Sequence, residues 1–415
     1  VLDRSVIEGL WSERARAVPA AAPVPPGPVA VNFDQGLPDP LLFPVERLAQ
    51  HLSATIAEQG DDALRYFGRG GPSEMQYGAL GLRDALARWM GRRDGRALDA
   101  SQVTLVNGST DGLALAVNAF LGPDDGAVCE AATYPYTRRY IGATGATVRT
   151  VPVDEHGMVV DAIEAELEAL QASGVRPKLI ATIPTFHSPT GTVMPLARRE
   201  ALIAIAERWQ VLVLEDNCYY EFAYDQPPPP TLLALDGAGL VLQSDSFSKY
   251  VAPGLRMAWL AGHPAAVEAV TRVRQDFAVS RLVARTLERY VDAGDLDAHL
   301  ASLREHYRRK RDRTAAALRQ HCGRWVRFAV PAGGFYFWVE IDPAVDWDAA
   351  RAALAEQGIA FRPGDRFGDD PSAGRFVRLS PIQVPEDHIE PAIAAMGAAL
   401  AAHVTSGPPV LVPGA

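Results

Sequence analysis

Six short apolar runs separated by amphipathic stretches limit what this chain can fold into more than any other feature. The runs are VTLVN (103–107), GAVCE (126–130), TVRTVPV (147–153), KLIATIP (178–184), VLVLED (211–216) and LVLQSDS (240–246). Most are apolar at successive positions, so both faces of each strand need covering. Amphipathic stretches such as GLALAVNAFL and ARREALIAIAERW fill the gaps. Strand and helix in alternation give a βαβ rhythm, hence an α/β fold with a mostly parallel sheet between helices.

At 415 residues the chain is too long for one core and suits a large domain plus a smaller one. Arginine and leucine at helical spacing predict a long helical region from about Pro264 to Arg319, carrying the chain out of the large domain. FYFWVEI, a helix from Trp347 to Glu356, FVRLS and a last helix from Asp387 then suit a small α+β domain. The expected division is 1–45 as an N-terminal arm with part of the small domain, 46–295 as the large ligand-binding domain, 296–403 as the small domain and 404–415 as a disordered tail. The prolines of AVPAAAPVPPGPVA (17–30) read as an extended arm, because they cannot join helix or ladder hydrogen bonding.

A formal charge of −10 argues against nucleic acid or an anionic membrane as partner, since both need a basic face. A small anionic ligand is still possible, because a few placed arginines can serve one site. Cys129, Cys218 and Cys322 form no CxxC pair and no disulfide framework, which predicts a reducing cytoplasm. No signal pattern or membrane-length apolar run is expected, and no metal site.

In open α/β sheets, ligands gather at the carboxyl ends of the strands. Four strand ends here carry polar residues that an apolar core would not choose. Asn107-Gly108-Ser109-Thr110 runs straight into a helix, offering backbone amides and two hydroxyls to a phosphate, though an N-capped turn looks the same. Asp216 ends a buried strand, where a carboxylate needs a cationic partner or else caps the next helix. Ser244-Asp245-Ser246-Phe247-Ser248-Lys249 places one lysine after a cluster of hydroxyls, with Arg256 seven residues on. A partly buried lysine there is suited to imine chemistry, with Ser246, Ser248 and Arg256 holding a phosphate. Pro184 to Gly191, PTFHSPTG, is by itself a rigid turn, and His187 alone reads as a packing or capping residue.

Taken in order, NGST(D), TYP, PTFHSPTG, EDNCYY, SFSKYVAPGLR and RLS resemble the class I/II aminotransferases, the fold-type I enzymes dependent on pyridoxal 5′-phosphate (PLP). The likeness starts at VNFDQGLPDPLLFP (31–44), covers nearly the whole chain, and looks closest to the 2-aminoadipate and aromatic aminotransferase branch. That branch also includes the aminotransferase-like domains of certain bacterial regulators, but no DNA-binding module is read in this sequence. The resemblance implies a seven-stranded, mostly parallel sheet and a homodimer with shared active sites. It implies Lys249 as the Schiff-base lysine and proton shuttle, Asp216 as the partner of the pyridinium nitrogen and Tyr219 as donor to the ring 3′-oxygen. Gly108, Ser109, Thr110, Ser246, Ser248 and Arg256 resemble the phosphate cup, Tyr134 the aromatic that stacks on the ring, and Arg378 the arginine that grips the substrate α-carboxylate. Gly36 stands where family members pass backbone close to substrate, and Tyr77 where a residue reaches the neighbouring subunit's phosphate.

Two departures stand out. Ser188 replaces the asparagine that helps bind the ring 3′-oxygen, and YGALGLRDAL after Tyr77 is shorter than the usual YxxxxGxxxLR. The start of a helix near Ser280-Arg281 falls where side chains enter a partner's site, and Arg138, Arg139, Arg281 and Arg366 read as second anion contacts or as solvated surface charges. The expected reaction is transfer of an α-amino group to a 2-oxo acid. The same residues also allow elimination, replacement or cyclisation, for example on a sulfonium amino acid such as S-adenosylmethionine, or a silent PLP-binding protein.

Overall fold

The computed structural model describes residues 4–12, 16, 29–368 and 371–405. The chain first pairs at Val31–Asn32 (β1). The six runs then form Val103–Val106 (β2), Asp125–Glu130 (β3), Thr147–Val151 (β4), Arg176–Thr182 (β5), Leu212–Asp216 (β6) and Val241–Ser246 (β7). A seventh strand, Ala258–Gly262 (β8), was not among the expected runs. The sheet order is β2-β8-β7-β6-β5-β3-β4, with β8 antiparallel to both neighbours and every other pair parallel.

The double-sided apolar pattern has its explanation in two clusters. Val128, Ile180, Val213, Val241 and Trp259 face one helical layer. Ala127, Leu179, Leu212, Leu214, Leu242 and Leu260 face the other. Successive side chains on a strand point to opposite faces, so a strand covered on both sides must be apolar throughout. Each such side chain fully buried contributes roughly 1.5–3 kcal/mol. Register then brings the polar ends level. Asp216 stands opposite Ser244 across β6 and β7, and β7 ends two residues later at Ser246.

The expected long helical region is three helices, Pro264–Arg272, Arg281–Asp292 and Asp295–Ala317. Asp276 pulls the first break into a turn by accepting from Arg274 Nε at 2.8 Å and Ala278 N at 3.2 Å, and Ser280 caps the next helix. Gly294, at φ +78°, makes the second break.

A smaller antiparallel sheet is built from Val326–Phe328 (β9), Phe337–Ile341 (β10), Arg362–Pro363 (β12) and Phe376–Leu379 (β13), in the order β9-β10-β13-β12. Ile359–Ala360 (β11) pairs in parallel with β1. Phe33, Phe337, Val339, Val377, Ile389 and Met396 share its apolar core, so the segment before the large sheet packs with the end of the chain. Residues 17–28 of the expected arm and 406–415 of the expected tail lie outside the described residues. Val404 bridges to Val345, and Thr405 N donates to Ala344 O at 2.7 Å. No described helix is long and apolar enough to cross a membrane.

Glu74 organises the segment around Tyr77. It accepts from Gly68 N at 2.7 Å, Gly70 N at 3.3 Å and Leu80 N at 2.9 Å, and pairs with Arg281. Arg281 also holds Asp62 at 2.9 Å, so both of its ion pairs lie within its own chain. Burial works to raise the Glu74 pKa, but these amides and Arg281 outweigh it and hold the carboxyl below its ordinary value. A depressed folded-state pKa stabilises above the unfolded value of about 4.3, and that contribution is lost as pH falls through the folded value. Glu74→Gln is expected to cost about 3 kcal/mol at neutral pH and much less in acid. Denaturant titrations at the two pH values check this, and equal losses would refute it.

Candidate active site

Three loops meet at the carboxyl ends of β2, β6 and β7. Gly108, at φ +88°, turns the chain from β2 into the helix Ser109–Phe120, and a Cβ there would sit 2.4 Å from Arg256 Nη2. The backbone conformation favours glycine here, and any side chain would also displace the Arg256 guanidinium. Arg256 itself holds φ +49°, uncommon for a non-glycine residue, and donates from Nη2 to Asn107 O at 2.7 Å. Ser246 caps the short helix Phe247–Tyr250 by accepting from Ser248 N at 3.0 Å. Backbone amides, hydroxyls and one guanidinium thus converge from β2 and β7, a cradle for a phosphate.

Asp216 is buried, and its recorded backbone donor is Cys218 N at 3.5 Å. Burial raises its pKa, and Lys249 opposes that only in part. Such a carboxyl is set to hold a cationic or protonated ring nitrogen. Lys249 is part-buried, with Nζ donating to Gly36 O at 2.7 Å. Tyr134 lies within reach of Thr110 and near Asp216 and Tyr336, and burial raises its hydroxyl pKa.

The small sheet supplies the other wall. Arg378 donates from Nη2 to Asp34 O at 2.6 Å, and its guanidinium lies 4.3 Å from the Tyr336 ring centroid and 4.7 Å from that of Phe367. Its Nε is buried with no hydrogen-bond partner among the described residues, leaving one edge of the fork for a carboxylate. Tyr219 meets Tyr336, hydroxyl to hydroxyl, at 2.6 Å. Ser188 is buried, and its Oγ also has no partner among the described residues.

The structure therefore brings together Gly36, Gly108, Ser109, Thr110, Tyr134, Asp216, Tyr219, Ser246, Ser248, Lys249, Arg256 and Arg378. Tyr77 stands apart: its carbonyl accepts from Thr104 Oγ1, Arg83 lies over its ring at 5.4 Å, and among the described residues no hydrogen bond joins it to Lys249, Asp216 or Arg256. Arg138, Arg139 and Arg366 line a cleft of about 370 Å³ beside Phe367. Sequence reasoning missed Tyr336, Phe367 and Asp34. A hydroxyl-bearing ring directly after Gly333-Gly334-Phe335 and just before the strand Phe337–Ile341 was the available signal for the first.

Comparison with known proteins agrees with this geometry. Residues 48–396 match the family described as Aminotransferase class I and II. Aromatic-amino-acid aminotransferase 1 of Thermococcus litoralis is 30% identical over 365 residues, 88% of this chain and 86% of that protein. The 2-aminoadipate transaminase of Thermus thermophilus is 29% identical, over 90% of each chain. Pyrococcus horikoshii kynurenine aminotransferase, solved in complex with PMP, KYN as substrates and KYA as products, superposes with a TM-score of 0.87 at 28% identity. That alignment covers 95% of this chain and 98% of that one.

His187 sits beneath the site. Its Nδ1 meets Thr190 Oγ1 at 2.8 Å, and its Nε2 lies 3.9 Å from Glu130, so it closes the PTFHSPTG turn as a capping residue. Burial pushes its pKa down to about 3. With the folded value depressed, stability is complete above the unfolded value of about 6.5 and falls as pH drops from there toward the folded value. His187→Gln is expected to flatten the pH dependence of stability between those limits, measured by denaturant titration across the range. An unchanged slope would show that His187 does not carry it.

Proposed function

This chain belongs to the class I and II aminotransferases, and on that premise we propose that it moves the amino group of an aromatic or other bulky α-amino acid to a 2-oxo acid. Its cofactor is PLP, and the residues present fit it: a lysine, a buried carboxyl, and a phosphate cradle entered through the positive-φ Gly108. Bound through Lys249, PLP supplies an electron sink for the charge left when the Cα–H bond breaks.

The roles proposed for the chain's own residues are those that the family resemblance implies. Asp216 holds the proton on the ring nitrogen, and Tyr219 donates to the ring oxygen. Gly108, Ser109, Thr110, Ser246, Ser248 and Arg256 hold the phosphate, while Tyr134 covers the ring face. With its amine free, Lys249 Nζ would accept the proton from the substrate Cα. The single observation that carries the reading is Arg378. Its Nε is buried without a hydrogen-bond partner among the described residues and two aromatic rings lie against its face, so it fits an α-carboxylate whose own side chain lies along apolar walls. The aromatic, 2-aminoadipate and kynurenine relatives support a bulky substrate.

We also read the chain as a cytoplasmic homodimer that binds neither nucleic acid nor membrane. Leu41, Val45, Leu64, Tyr66 and Phe277 are exposed large apolar side chains, and Tyr66 packs on Phe277 at 5.6 Å, as a subunit interface requires. The three free, buried cysteines support a reducing compartment. We divide the chain into a large domain at 46–295 and a small one at 296–403 with the arm, although Leu296, Leu300, Leu303 and Tyr307 pack into the large-sheet core.

Purified protein is expected to carry a PLP chromophore that borohydride fixes to Lys249 and that Lys249→Ala lacks. An aromatic amino acid alone is expected to convert it to the pyridoxamine form. Arg378→Ala is expected to raise KM for that amino acid roughly 100-fold, ~3 kcal/mol. Release of a substrate fragment without conversion, across a panel including sulfonium compounds, would overturn transamination.

A further inference from the structure

Three segments far apart in sequence leave a slot that one tyrosine fills. A Cβ at Gly36 would lie 2.0 Å from Tyr336 Oη, and one at Gly191, φ +72°, would lie 2.5 Å from Tyr336 O. Gly334, at φ +70°, turns the chain into the slot, and its own Cβ would strike Phe186 at 2.5 Å. The buried ring of Tyr336 packs edge-on to Tyr219, centroids 5.4 Å apart, and lies against Arg378.

We propose that Tyr336 is a positioning residue of this enzyme, acting through Tyr219 and Arg378. Its hydroxyl orients and polarises the Tyr219 hydroxyl, and its ring face fixes the plane of the Arg378 guanidinium. The proposal rests on the reading that Tyr219 faces the cofactor's ring oxygen and Arg378 the substrate carboxylate.

Two hydroxyls 2.6 Å apart share one proton between them, leaving a single O–H to donate outward. With Tyr336 donating, the outward proton belongs to Tyr219, and a donor that also accepts gives the stronger bond. Burial keeps Tyr219 protonated by raising its pKa, so it stays a donor. The charged and titratable groups facing the pair are Arg378, Cys218, Tyr134 and Arg362. Ser188 does not join this chain of hydroxyls, because its Oγ has no hydrogen-bond partner among the described residues.

The test uses PLP-loaded enzyme and follows the absorbance of the bound cofactor against pH. A weaker hydrogen bond from Tyr219 leaves the ring oxygen better able to retain the proton it shares with the neighbouring nitrogen. Tyr336→Phe is therefore expected to move the midpoint up by about half a pH unit or more and to loosen PLP several-fold. It keeps the ring, so KM for the amino acid stays near wild type, whereas Tyr336→Leu raises KM about tenfold through Arg378. In the double variant Tyr219→Phe/Tyr336→Phe the midpoint matches Tyr219→Phe alone, since the second hydroxyl acts only through the first. Normal PLP binding with an unmoved midpoint in Tyr336→Phe, or additive shifts in the double variant, overturns the proposal. Wild-type protein without a PLP chromophore overturns the reading of the site beneath it.

Discussion

A carboxyl placed at the dry end of a buried strand is costly unless a positive charge comes to meet it. Asp216 occupies that position, and the rest of the site is arranged to deliver and bound the charge. β6 lies at the centre of the large sheet, between β5 and β7, so both flanking loops open beside Asp216. The loop after β7 brings Lys249, and the helix after β2 brings the amides and hydroxyls of Ser109 and Thr110. Cation-holding and anion-holding halves thus arise from one sheet end, and the ligand that satisfies both carries opposite charges at its two ends.

Much of this was legible because polarity at the end of an apolar run has few explanations. Asp216, Lys249, Asn107 and the serines of β7 each lie at or just beyond the end of a strand, so position and chemistry coincided in the sequence. The strand Ala258–Gly262 was less legible. It follows the site loop within a few residues and runs antiparallel, so it breaks the strand–helix alternation that revealed the others. The break in the helical region around Asp276 was concealed by helical spacing on either side, where a local side-chain cap prevailed over periodicity.

The small-domain wall was hidden for a different reason. Asp34, Tyr336, Phe367 and Arg378 approach one another only through the register of β10, β12 and β13 and through the pairing of β1 with β11. Arg362 and Arg378 stand directly opposite each other on that sheet, and both reach Asp34, one to its carboxylate and one to its carbonyl. Such contacts span more than 300 positions, and no local pattern reports them.

The stretch Asp34–Gly36 holds two cations with main-chain oxygens, Arg378 through Asp34 O and Lys249 through Gly36 O. Neither oxygen carries a full charge, so each grips its cation firmly enough to aim it but yields to a covalent bond or a carboxylate. Three consecutive residues of main chain thus set the positions of a lysine and an arginine that lie 129 positions apart in the sequence.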